Sequence, residues 1–177
     1  DNFSGLVVVD EAYIDFSTEK STLSLLNETP NLVVLQTFSK AWGLAGLRVG
    51  MAFASEEIIS ILNKIKPPYN INTLSQKEAL KVLTKSSVTV GQIETIKKER
   101  EKLSVELKQL DNVVQVFPSE ANFILVEFEN SETLFNALIE KGIIVRNRSK
   151  LVKGCIRITV GTPQENSLLL NTLKEMQ

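Results

Sequence analysis

The sequence predicts an α/β fold in which parallel-type strands alternate with helices, followed by a smaller α+β layer. Three observations lead there. Short apolar, β-branched runs at residues 6–9 and 31–36 read as strands of a covered sheet, apolar on both faces. Periodic stretches with capping signals mark helices between strands. From about residue 111 the order becomes strand, strand, helix, strand, strand, helix, which is an α+β layer. The chain of 177 residues thus divides into strands and helices over 1–66, connecting helices over 67–110, and a small α+β domain over 111–177.

The first strand, 6–9, reads as buried and parallel and ends at Asp10. Residues 21–29 form a short helix or turn, and 31–36 a second strand of the same type. A loop of small residues over 37–46 carries Lys40, and 48–54 reads as the third strand. Ser55 is placed to cap a helix whose first turn holds Glu56 and Glu57 and which runs to about Lys64. Pro67 and Pro68 break the helix, and another follows at about 73–84. A longer helix spans about 87–110, with Ile93, Ile96, Leu103, Leu107 and Leu110 at helical spacing. Its charged run at 97–102 reads as a solvated face with pairs four residues apart. Strands are expected at 113–117, 122–127, 143–146 and 155–160, with a helix at 131–140 closed by Gly142. Thr162, Pro163 and Glu165 form a capping box with proline in the first helical position, opening the last helix.

Composition removes many functions. The sequence has no histidine, which excludes Ser-His-Asp triads, Cys-His dyads and histidine-based zinc sites. Its one cysteine, Cys155, excludes an internal disulfide and cysteine-rich metal sites, and fits a reducing, cytoplasmic setting. Basic and acidic residues number 20 and 21, so no global charge draws the chain to nucleic acid. No apolar run is long enough for a membrane helix. The first residues, Asp1 and Asn2, carry no initiator methionine and lead almost at once into a strand, which is expected of a piece of a longer protein.

Ligands of open α/β sheets bind beyond the carboxyl ends of the strands. Asp10 follows the first strand, Lys40 follows the second, and Arg48 closes the loop that Lys40 opens. A lysine between Ser39 and Ala41 can be desolvated and attack an aldehyde to form a Schiff base. Pyridoxal phosphate is the commonest such cofactor. It needs a carboxylate at its ring nitrogen and hydroxyl and guanidinium donors around its phosphate. Asp10, Ser39 and Arg48 are of those types, and Tyr13 could donate to the ring oxygen. Each alone has an ordinary reading: Asp10 a turn residue, Lys40 a solvated charge, Arg48 a surface ion pair.

A second set lies near the end of the chain. Arg146, Arg148, Lys150, Lys153 and Arg157 fall within twelve residues that contain no acid. Arg148, Lys150 and Lys153 read most simply as a solvated basic loop. A nucleic-acid patch is disfavoured because no aromatic is interleaved. Arg157 alternates with Ile156 and Ile158, so it faces away from them, and on a sheet covered on both sides it would need an anionic partner, from the protein or a ligand.

The stretches VVVDEAYIDF and TFSKAWGLAGLRVG closely resemble fold type I pyridoxal-phosphate enzymes, and within them the histidinol-phosphate aminotransferase family. The family's D-E-A-Y stands as Asp10-Glu11-Ala12-Tyr13, and its S-K-A-x-x-L-A-G-x-R as residues 39–48. PPYN-x-N matches residues 67–72, and ANF at 121–123, GIIVR ending at Arg146 and GCIRITVGT at 154–162 fit the family's C-terminal domain. The resemblance implies part of a pyridoxal-phosphate-binding large domain followed by the small C-terminal domain. It implies that Lys40 is the Schiff-base lysine and proton carrier, that Asp10 pairs with the ring nitrogen, Tyr13 with the ring oxygen, and Ser39 and Arg48 with the phosphate. Arg157, assisted by Arg146, would bind the acidic end of each substrate, with Asn122 a weaker candidate.

The reaction implied is amino transfer from histidinol phosphate to 2-oxoglutarate in a cytoplasmic homodimer, acting on small molecules rather than nucleic acid or membrane. The family's chains are about twice as long, and their N-terminal half carries the phosphate loop, the aromatic stacked on the ring and an asparagine at the ring oxygen. A fragment without them is expected to be inactive alone. Rival readings are a threonine-phosphate decarboxylase, an aromatic aminotransferase, or a non-catalytic α/β interaction fragment.

Overall fold

The structure, a computed structural model, describes residues 3–176. The chain forms two compact units, Asp1–Gly91 and Gln92–Gln177.

In the first unit, β1 (Val7–Asp10), β2 (Leu32–Thr37) and β3 (Gly50–Ala54) form a three-stranded sheet in that order. β1 and β2 are parallel, with Asp10 opposite Leu35. β3 runs antiparallel to β2, with Thr37 opposite Gly50, which corrects the parallel-type reading of the third strand. The cause is the 38–49 segment, which closes on itself with the Phe38 amide donating to the Val49 carbonyl at 3.2 Å and contains no α-helix to carry a parallel crossover. β1 was also expected to be buried, yet Val7 and Val8 are exposed. β1 is the sheet's edge, with β2 as its only neighbour among the described residues.

A one-turn helix at Ile14–Phe16 buries Phe16 completely, and another at Thr22–Leu25 follows the Ser21 cap. α1 (Glu56–Ile65) starts after Ser55, whose side chain makes no capping hydrogen bond among the described residues. α2 (Thr73–Leu83) is capped by Asn72, whose Oδ1 accepts from the Ser75 amide at 2.9 Å.

The second unit packs helices on an antiparallel sheet of order β4-β5-β7-β6: β4 (Val113–Val116), β5 (Phe123–Phe128), β6 (Arg146–Asn147) and β7 (Cys155–Thr159). Strand alternation sends Ile124, Val126 and Phe128 of β5, with Ile156 and Ile158 of β7, to one face. There they meet Leu103 and Leu107 of α3 (Ser86–Leu107), Leu134 and Leu138 of α4 (Ser131–Glu140), and Leu169, Leu170 and Leu173 of α5 (Pro163–Lys174).

Two expectations change here. Residues 143–145 are not strand: the Ile143 amide donates to the Leu138 carbonyl at 2.9 Å, closing α4 behind Gly142 at φ 76, and only Arg146 and Asn147 pair with β7. The charged run at 97–102 is not wholly solvated, because Arg100 is buried and donates to the Ala121 carbonyl at 2.9 Å. The capping box is formed as expected: the Glu165 amide donates to Thr162 Oγ1, and the Thr162 amide to Glu165 Oε2. The Thr162 amide and the Thr162 hydroxyl, which both donate to Glu165 Oε2, hold that carboxyl below its ordinary range.

Candidate active site

The candidate site of the first unit lies at one edge of its sheet. β1 and β2 are parallel, so Asp10 and the loop carrying Lys40 leave the sheet at the same edge. Because β3 is antiparallel, its start lies at that edge too, and Arg48 precedes it by two residues. The reversal of β3 is therefore what returns Arg48 to the side of Lys40.

The loop between them is closed on itself. The Phe38 amide donates to the Val49 carbonyl at 3.2 Å, and Leu44 back to Phe38 at 3.0 Å. Within it the Gly43 amide donates to the Lys40 carbonyl at 3.0 Å, and Gly43 adopts φ 68, a conformation that glycine takes without steric cost. Trp42 packs edge-on against Phe38, 5.8 Å between ring centroids. The Ser39 amide donates to Thr37 Oγ1. This frame presents Lys40 outward, exposed, with its Nζ 5.1 Å from the centre of the Tyr13 ring. A cation over a tyrosine face is a favourable contact, and it joins two of the expected site residues directly.

Asp10 is exposed at the end of β1, and its Oδ1 accepts from the Ala12 amide at 3.0 Å. Arg48 is exposed and holds φ 56, the only non-glycine positive φ among the described residues. Such a backbone costs roughly 1–3 kcal/mol and clusters at functional sites. Its Nη1 donates to the Ala45 carbonyl at 3.1 Å. Among the described residues none of Asp10, Lys40 or Arg48 is in an ion pair. The donor set fits a ligand with an aldehyde for the amine, a basic nitrogen for the carboxylate and an anion for the guanidinium.

Glu11 has no role in the sequence reading beyond its place in the D-E-A-Y match. It is 7% exposed, and its carboxylate accepts from Ser21 Oγ at 2.6 Å, the Thr22 amide at 2.7 Å, Thr22 Oγ1 at 2.8 Å and Gln36 Nε2 at 3.0 Å. Burial opposes its ionisation, but the bonds from Ser21, Gln36 and Thr22 outweigh it and hold the carboxyl below its usual range. The available signal was an acid directly after an apolar strand, with Ser21 and Thr22 in the next turn.

In the second unit Arg157 lies opposite Leu125 on one side and Arg146 on the other. Its guanidinium carbon is 4.8 Å from the centre of the Phe123 ring, and its Nε is buried without a hydrogen-bond partner. Two arginines directly opposed across strands repel unless an anion lies between them. Arg146 is exposed and borders an open cavity of about 850 Å³ together with Arg148, Lys150 and Lys153. Asn122 is half-buried, and its carbonyl accepts from the Val160 amide at 2.9 Å. Cys155 is buried in β7, and burial together with Glu127 raises its thiol pKa.

A lysine loop closed on itself, an aspartate at a strand end and an arginine at positive φ thus share one sheet edge of an α/β unit. The sequence matches the family "Aminotransferase class I and II" over residues 1–173, and the chain belongs to that family. It is 53% identical to the histidinol-phosphate aminotransferase of Parabacteroides distasonis over 99% of this chain and 52% of that protein. Its identity to the same enzyme of Cytophaga hutchinsonii is also 53%, over 97% of this chain and 50% of that protein. The chain thus spans about half the length of the curated relatives it matches.

Solved structures share the fold. The histidinol-phosphate aminotransferase from Clostridium acetobutylicum superposes with a TM-score of 0.88 at 24% identity, covering 97% of this chain and 54% of that one. L-threonine-O-3-phosphate decarboxylase from Porphyromonas gingivalis gives 0.84 at 25% identity, over 96% and 54%. The histidinol-phosphate aminotransferase from Sinorhizobium meliloti, solved in complex with pyridoxal-5'-phosphate, gives 0.79 at 23% identity, over 97% and 50%.

Proposed function

We propose that this chain is part of a pyridoxal-phosphate-dependent histidinol-phosphate aminotransferase. The reaction is histidinol phosphate plus 2-oxoglutarate giving imidazole acetol phosphate plus glutamate, a step of histidine biosynthesis, in a cytoplasmic homodimer. The observation that carries the reading is the single sheet edge shared by Asp10, Lys40 and Arg48, with Lys40 Nζ on the Tyr13 ring. The names of relatives at 53% identity support the substrate. On this reading residues 1–66 belong to the cofactor-binding large domain, 67–110 connect, and 111–177 form the small domain.

Pyridoxal phosphate supplies an electron sink for bonds at the substrate's amino-bearing carbon. This chain's residues hold it and move protons. Lys40 would hold the cofactor through its amine and would serve as the acid/base that moves the proton of the transfer. Asp10, acceptor-only when ionised, keeps a proton on the ring nitrogen. The Tyr13 hydroxyl donates to the ring oxygen, and Ser39 and Arg48 bind the phosphate. Arg157, with Arg146 beside it, takes the phosphate of histidinol phosphate in one half-reaction and a carboxylate of 2-oxoglutarate in the other.

The test uses the full-length protein. Borohydride reduction in the presence of pyridoxal phosphate should fix the cofactor to the peptide carrying Lys40, and glutamate should accumulate from histidinol phosphate and 2-oxoglutarate. Carbon dioxide release from threonine phosphate without glutamate formation would replace this reading with the decarboxylase. Labelling of another lysine would overturn the site.

A further inference from the structure

Asp10 and Tyr13 flank one buried acid, and that acid is tied to three segments of the first unit. Its own backbone extends the sheet, because the Glu11 amide donates to the Leu35 carbonyl at 2.8 Å. Its carboxylate Oε1 takes both donors of Thr22, and Oε2 takes Ser21 Oγ and Gln36 Nε2. Gln36 lies in β2, four residues before Lys40, and Thr37 Oγ1 then accepts the Ser39 amide. The carboxylate therefore fastens the end of β1 to the end of β2 and to the turn at 21–22. A buried carboxylate with four donors is a rigid anchor, since charge-assisted bonds are short and about twice as strong as neutral ones. Sheet pairing of β1 ends at the Glu11 amide, and the carboxylate continues the attachment from there.

From this geometry we infer that Glu11 is a positioning residue for the candidate active site. It holds Asp10 and Tyr13 in register with the loop that presents Lys40, without touching the ligand itself. The inference rests on the proposed cofactor site. Residues that hold ligand-binding groups from behind commonly change affinity or activity by about 10- to 100-fold when removed, as the outer shells of metal sites show.

The test compares Glu11→Ala with Glu11→Gln in the full-length protein. Alanine removes both carboxylate oxygens and with them all four hydrogen bonds. Glutamine keeps Oε1 for Thr22, and its amide can donate to Ser21 and to Gln36 once the Gln36 amide turns over. Glu11→Ala should weaken pyridoxal phosphate binding about tenfold or more, and Glu11→Gln should restore most of it. Amide exchange should quicken in the peptides over 10–16 and 37–42 in Glu11→Ala, while β5 and β7 keep their protection. If Glu11→Ala does not fold, Gln36→Ala, which removes the 3.0 Å bond to Glu11 and the longer 3.5 Å one to Ser21 Oγ, serves in its place with the same expected pattern and smaller size. Unchanged cofactor affinity together with unchanged local exchange overturns the inference, as does a loss of stability alone with affinity intact. Failure of the wild-type protein to bind pyridoxal phosphate defeats the proposed site instead, and the exchange comparison still decides whether Glu11 holds the two segments together.

Discussion

Arg157→Ala in the full-length protein is the most informative single change. The structure gives three reasons to expect a large effect. Its Nε is buried without a hydrogen-bond partner, and an unmade buried donor costs about 1–3 kcal/mol. Arg146 stands directly opposite across the β6–β7 pair, and like charges so placed repel. The Phe123 ring, 4.8 Å from the guanidinium carbon, favours the cation. A bound phosphate or carboxylate satisfies the donor and relieves the repulsion together. Removing one partner of such a desolvated charge pair costs about 2–5 kcal/mol. At about 1.36 kcal/mol per tenfold, kcat/KM should fall by roughly 30-fold to several thousand-fold. Steady-state glutamate formation measures it, with circular dichroism to show that the fold is intact. Lys150→Ala, an exposed loop cation in no ion pair among the described residues, should cost under about 1 kcal/mol. Equal losses at the two positions would mean that the basic loop acts as a diffuse field, and Arg157 would lose its special role.

Three further outcomes are expected. Because the Glu11 pKa is lowered by folding, its contribution to stability is complete above the ordinary glutamate value of about 4.3 and drains away as pH falls through the lower folded value. Chemical unfolding of the wild type from pH 6 downward should show this slope, and Glu11→Gln should flatten it. Thr162→Ala should destabilise the second unit by about 1 kcal/mol in thermal or urea unfolding, because it removes the cap of α5. Residues 1–177 alone, mixed with pyridoxal phosphate and both substrates, should bind the cofactor weakly and form no measurable glutamate. Turnover within about tenfold of the usual 1–10³ s⁻¹ would show that the other half of the family's length is dispensable.

Local signals made several elements legible from sequence. The capping box at Thr162 and Glu165, the glycine after α4, and the apolar spacing of Leu103 and Leu107 each act within one turn, and each formed as expected. What was hidden depends on neighbours distant in sequence. Apolar alternation marks 50–54 as a strand but carries no direction, which the loop of 38–49 decides. Val7 and Val8 look buried because they are apolar, but β1 is a sheet edge in this chain. Arg100 looks like one more charge in a solvated run until the Ala121 carbonyl, far along the chain, meets it. For the candidate site, residue types and strand ends pointed to Asp10, Lys40 and Arg48 before any coordinates. Glu11 stayed silent because its partners Ser21, Thr22 and Gln36 meet only in the folded sheet.

The charges left over by the fold say most about what it binds. Several buried polar groups among the described residues are met from within: Glu11 has four donors, Arg100 donates to a carbonyl, and Asn166 Nδ2 donates to Glu99 at 2.8 Å and to the Gly161 carbonyl at 3.1 Å, whereas Asn112 Oδ1, like Arg157 Nε, has no partner. Lys40, Arg48 and Arg157 are treated differently. Lys40 rests on an aromatic face, Arg48 sits on a strained backbone, and Arg157 keeps a buried Nε with no acceptor. The Lys40 contact is favourable, whereas the left-handed backbone of Arg48 and the unmet Nε of Arg157 each cost the fold free energy. A ligand that carries an aldehyde and a phosphate, and substrates that carry a phosphate or a carboxylate, would complete all three.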